Sequence, residues 1–114
     1  MSPPVPRIPN WKGAGSTTET RVLALTEEDR DLWGRDVAGW RIMVENHDVT
    51  ATFTFKVYQG RWITAVASET ALAGSTSAAI SVLHPRGSGD LQISVTASAG
   101  TPTASMAAYP RTTL

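Results

Sequence analysis

The chain contains no cysteine, which excludes a disulfide framework and any thiolate zinc site and leaves stability to packing or to neighbouring subunits. Nor is there an excess of either charge: ten Lys and Arg balance ten Asp and Glu over 114 residues. A chain without net charge lacks the long-range field by which nucleic-acid binders and polybasic membrane binders capture their targets, so neither partner is expected. Long apolar runs are missing too, since no stretch approaches the roughly 20 consecutive apolar residues that span a bilayer. The opening Met1-Ser2-Pro3-Pro4-Val5-Pro6 has no basic region followed by an apolar one, and so does not resemble a secretory leader. The expectation is a protein made and kept in the cytosol, unless it leaves inside a larger particle. At this length one core can form and bury roughly two-thirds of the unfolded surface.

What the sequence does contain is a two-residue period. Trp40, Ile42 and Val44 alternate with Arg41, Met43 and Glu45, and Ala51, Phe53, Phe55 and Val57 alternate with Thr52, Thr54, Lys56 and Tyr58, which places apolar side chains on one face of a sheet. Gln59-Gly60 reads as a two-residue hairpin turn into a strand over 61–67. Segments 78–83 and 91–96 read as a further pair joined by the loop 85–90, 21–25 as an early strand and 103–109 as a possible late one. Only Thr26–Trp33 argues for helix, with Thr26 and Asp29 spaced as a capping box and acidic residues in the first turn; Gly34 and Gly39 limit its length. Six or so short strands predict an all-β fold, an antiparallel β-sandwich or jelly-roll-like barrel with one short helix. Four prolines between Pro3 and Pro9 and the Gly13–Thr18 stretch predict an extended N-terminal arm over 1–20. The sandwich domain then spans 21–99, and 100–114 is a C-terminal tail or a last strand.

Catalytic chemistry finds little raw material. His47 and His84 are the only histidines; each lies beside a turn and reads as an exposed loop residue. A Ser/His/Asp triad is a spatial arrangement that sequence does not exclude, but no G-x-S-x-G elbow supports one. A metal site from His47 and Asp48 has neither H-x-x-x-H spacing nor a calcium-loop pattern behind it. Glu27, Glu28, Asp29 and Asp31 are interleaved with Arg30 and near Arg35, the pattern of a solvated or salt-bridged helix face. Gly87-Ser88-Gly89 has no helix after it to complete a phosphate cradle. The expectation is therefore a non-enzyme: no catalytic residue, no metal ligand and no cofactor is assigned.

Two features point toward contact with other molecules. The first is a set of four tryptophans. Trp40 fits the core, whereas Trp11, Trp33 and Trp62 can either stack on sugars or bury into neighbouring subunits. Trp11, with Val5 and Ile8, is assigned as an arm anchor, against the alternative that it staples back onto its own domain; Trp33 and Trp62 are assigned as contacts on the domain. The second is missing charge: between Trp62 and Leu83 only Glu69 is charged, and after Asp90 only Arg111. Interface cores are depleted of charge in this way, although a compositional bias toward Ala and Thr gives the same pattern. The uncharged 63–81 face is the expected subunit contact.

The segments Leu72-Ala73-Gly74-Ser75-Thr76-Ser77-Ala78-Ala79-Ile80 and Leu91-Gln92-Ile93-Ser94-Val95-Thr96-Ala97-Ser98-Ala99-Gly100-Thr101-Pro102 resemble the β-domains of small accessory proteins in tailed bacteriophage particles. The resemblance is one of texture over about half the chain and carries no motif, so it assigns no residue a role. It implies a virion component assembled in the host cytoplasm: a capsid decoration or cement protein that clamps capsomers, binds capsid or other virion proteins and forms a homo-oligomer, with a trimer favoured. A tail, neck or spike component is the related alternative, and a carbohydrate-binding module using Trp33 and Trp62 is the alternative of a different class.

Overall fold

Apolar alternation becomes paired strands. The computed structural model describes residues 7–60 and 65–113. Among these the chain forms β1 (Asn10–Ala14), β2 (Thr20–Leu25), α1 (Glu27–Leu32), β3 (Gly39–Asn46), β4 (Phe53–Gln59), β5 (Ala67–Leu72), β6 (Ser77–Leu83), β7 (Leu91–Ala97) and β8 (Thr103–Arg111). The strands make two four-stranded sheets, ordered β1-β8-β3-β6 and β2-β7-β4-β5, with every pairing antiparallel. First pairs with last, second with seventh, third with sixth and fourth with fifth, and successive rungs of this ribbon fall in opposite sheets. That is the strand order of a jelly roll, the all-β sandwich expected from the period.

Each sheet turns one face inward. Trp40, Ile42 and Val44 of β3, Ala104, Met106 and Ala108 of β8, and Ile80 and Val82 of β6 meet Phe53, Phe55 and Val57 of β4 and Leu91, Ile93 and Val95 of β7 in one core. The short helix lies where its caps dictate: Thr26 accepts from the Asp29 amide and Asp29 accepts from the Thr26 amide, a complete capping box that satisfies two otherwise orphaned donors.

Three expectations need correction. The first is the arm over 1–20. Residues 1–6 lie outside the described residues, and the described part is not free: Asn10–Ala14 is an edge strand on β8, after which Gly15 crosses to the other sheet beneath the Phe53 ring, which a Cβ at that position would approach to 2.4 Å. Proline-rich sequence biases the backbone to extended geometry, and extended geometry also suits a strand edge. Likewise, 103–111 forms the strand option and not the tail, lying inside its sheet between β1 and β3.

The second correction concerns the Gln59-Gly60 hairpin. Val57 faces Ala67 and Phe53 faces Leu72, so the returning strand lies over 67–72 and the connection is longer than two residues; 61–64 lie outside the described residues. A bulge between Phe55 and Phe53 takes up the offset, with Ala71 at φ 53, and the unpaired extra residue is what a bulge adds. The third concerns 78–83 and 91–96, which do not pair with each other. β6 pairs with β3 and β7 with β2 and β4, so the 84–90 loop carries the chain from one sheet to the other.

Candidate functional site

His84 begins that crossing, and contrary to the expectation of an exposed loop residue it is wholly buried. Its Nδ1 lies 3.0 Å from the Trp40 indole nitrogen and its Nε2 lies 2.7 Å from the Gly89 carbonyl. An indole only donates, so Nδ1 accepts and the proton sits on Nε2. Both ring nitrogens are thereby committed to the fold.

His47 is exposed, as expected, and the structure brings it together with Ser105 and Glu45. Its Nε2 lies 2.8 Å from the Ser105 hydroxyl and 3.6 Å from the Glu45 carboxylate. In a hydrolytic triad the acid and the nucleophile hold opposite nitrogens of the ring; here both approach the same one. Asp48, next to it, is held below the usual carboxylate range by the Ala51 and Thr50 amides that it accepts from, which makes it a turn-forming anion at the cleft lined by Thr50, Ala51 and 98–102. Among the described residues no three His, Asp or Glu side chains converge as a metal-binding group.

The loop side of the sandwich is similarly closed on itself. Glu27 at the start of α1 accepts from the Gly87 and Gly89 amides, so the Gly87-Ser88-Gly89 segment receives a carboxylate from its own chain. Asp31 bridges the buried Arg30 at 3.1 Å and Arg86 at 3.3 Å. Trp33, assigned from sequence as an outward contact, is half-buried and packed against the core, and its indole nitrogen has no partner among the described residues. Trp11 is also half-buried against the core, the geometry of a staple on its own domain; Ile8 beside it is half-buried. Val5 and Trp62 lie outside the described residues.

The two outer sheet faces differ sharply. Over β2-β7-β4-β5 lies a polar web that period alone did not reveal: Tyr58 donates to Glu19 at 2.6 Å, Ser94 donates to the same carboxylate oxygen at 2.8 Å, and the Arg21 guanidinium stacks 4.3 Å from the centre of the Tyr58 ring while donating to Gln92 at 2.6 Å. The hydroxyls of Tyr58 and Ser94 hold Glu19 below the ordinary glutamate value, and the Glu19 carboxylate in turn pushes the Tyr58 phenol up. The signal available in sequence was the lone acid Glu19 before a strand, which acquires meaning only when β2 is laid beside β7.

The outer face of β1-β8-β3-β6 is plain by contrast. Registered rows run Asn10, Ala107, Met43, Ala79 and then Lys12, Ser105, Glu45, Ser77, with Tyr109, Arg41 and Ser81 forming the third. Its middle carries no charge. The 63–81 stretch, expected as one contact face, is instead divided: 67–72 is the edge of one sheet and 77–83 the edge of the other. No family model, characterised protein or solved structure matches the chain, so the surface chemistry carries the functional argument.

Proposed function

We propose that this protein is a non-enzymatic structural component of a tailed-phage particle, of the decoration or cement type, which binds the assembled shell and stabilises it through contacts that bridge subunits. The observation that carries the reading is the plain sheet face: Met43, Ala79, Ala107, Ser77, Ser81 and Ser105 side by side, with Arg41, Glu45 and Tyr109 beside them. A sheet face whose central row of Asn10, Ala107, Met43 and Ala79 is uncharged, with Arg41, Glu45 and Lys12 in the rows beside it, has the charge-poor centre and polar rim of a protein interface. The jelly-roll order is shared by capsid domains and by lectins, and a fold by itself assigns no function. Between those two, the packing of Trp33 against the core favours the capsid reading, because it covers part of one of the two rings a sugar platform would use.

The mechanism is one of mass action. A protein that binds only the assembled shell stabilises it by that binding energy, and many copies multiply a modest gain per site. The test is a protein inventory of density-purified particles from the lysate in which the chain is made. Many copies per particle are expected; absence from the particles overturns the reading, and presence on tail-only fractions assigns it to the tail, neck or spike.

A further inference from the structure

Arg41, Met43 and Glu45 stand on the outward face of β3, with Met43 midway between a cation and an anion. Arg41 is exposed and has no hydrogen bond or ion pair among the described residues, while Glu45 has only His47 within ion-pair range. Most of their neighbours across the sheet are short: Ala79 and Ala107 flank Met43 and Ser77 and Ser105 flank Glu45, while Arg41 lies between Ser81 and the exposed Tyr109. The long side chains stand away from the Met43 row, Tyr109 in the Arg41 row and Lys12 on the edge strand in the Glu45 row, so that the row of Ala79, Met43 and Ala107 leaves room for a second sheet at the usual spacing of about 10 Å.

This face is self-complementary under one symmetry operation. Let a two-fold axis lie in the plane of contact, perpendicular to β3 and level with Met43. Position along the strand is then inverted while each strand stays opposite its own copy. Arg41 meets Glu45 of the second copy twice, Met43 meets Met43, Ala79 meets Ala79, and Tyr109 meets the level of Ser105. The alternative axis, parallel to β3, sets Arg41 against Arg41 and Glu45 against Glu45, and like charges directly opposed are costly. We infer that the outer face of β1-β8-β3-β6 docks a second copy of this chain face to face, with antiparallel β3 strands and reciprocal Arg41–Glu45 ion pairs about Met43. Such a contact is isologous. Four strands about 4.8 Å apart and some seven residues long cover on the order of 400 Å² per copy, below the lower end of specific interfaces, so the free dimer is weak and its strength is felt when copies are held close together.

The inference names a partner for the face used in the proposed function but stands apart from the particle: a two-fold contact can exist without a shell, and shell binding without it. The experiment is sedimentation equilibrium of the full chain, with circular dichroism to establish that each variant is folded. The parent is expected to dimerise at high concentration. R41E and E45R each place like charges together twice and are expected to weaken the dimer by about tenfold or more, while the double variant R41E/E45R restores it to within about threefold. A parent that stays monomeric at every concentration overturns the inference, as does a double variant no better than the singles. A second measurement exploits the missing thiols: Ala79→Cys provides the only cysteine, close to the axis, and a short bis-maleimide is expected to link it into dimers while leaving Ser98→Cys monomeric. Equal linking of both overturns the inference.

Discussion

Trp40 donates its indole N–H to the Nδ1 of His84 across 3.0 Å inside the closed core, joining the start of a strand to the loop that leaves the same sheet. The pair fixes where the chain crosses between sheets, because the other ring nitrogen holds the Gly89 carbonyl. His84→Leu keeps the bulk but strands one buried donor and one acceptor, and a loss of about 2–4 kcal/mol is expected. Urea unfolding checks it, and Trp40→Phe in the His84→Leu background should cost less than in the parent, since the hydrogen bond it would break is already gone.

Glu19 and Tyr58 give the fold two titrating edges. The carboxylate is held below its ordinary value, so its contribution is present above that value and is lost as pH falls through the lowered one; the phenol is pushed up, so its contribution is present below the ordinary tyrosine value and is lost as pH rises through the raised one. The urea midpoint of the parent should therefore exceed that of Glu19→Gln between about pH 5 and pH 9, with the gap closing below about pH 4 and above about pH 10. A gap that is the same at pH 3 and pH 7 overturns the assignment.

Gly39 is required by space. A Cβ there would lie 2.1 Å from the Val82 carbonyl oxygen and 2.9 Å from the Leu83 Cα, both backbone atoms that cannot swing aside. Gly39→Ala is expected to push β6 away from β3 and cost about 3 kcal/mol or more. Thermal melting gives the size, and accelerated amide exchange at Val82 and His84 gives the place.

Asn46 ties the two sheets at the opposite end. Buried, it donates to Ala51 at 2.7 Å and to Leu72 at 3.0 Å, while its own carbonyl accepts the Asp48 amide at 2.9 Å. Asn46→Ala leaves these backbone groups short of partners and is expected to cost about 2–3 kcal/mol, read as a shift in urea midpoint with unchanged slope. No comparable loss is expected at neighbouring exposed Glu45.

Much of the fold was legible because it rests on local pattern. Phe53, Phe55 and Val57 announce a half-buried strand by alternation alone, and Thr26 with Asp29 announces the helix start by spacing. What escaped depends on which strand lies beside which. Nothing near His84 in sequence reveals that Trp40 waits for it 44 positions earlier, and Asn10–Ala14, following a run of prolines, reads as part of an arm until β8 offers it an edge. The strand 67–72 was missed because its bulge and small side chains blur the alternation. The plain sheet face was only half visible, since the scarcity of charge appears in composition while the row of Ala107, Met43 and Ala79 exists only in register.

The order β1-β8-β3-β6 also bears on how the chain reaches its shape. Among the described residues, 10–14 find their only strand partner in 103–111, so the first of these strands waits for the last. On a ribosome, the two sheets cannot close until β7 and β8 have emerged, and the nascent domain spends that interval with sticky, incomplete edges. Non-local pairing of this kind slows folding and invites misassembly, which makes late, all-at-once closure a built-in property of this sandwich.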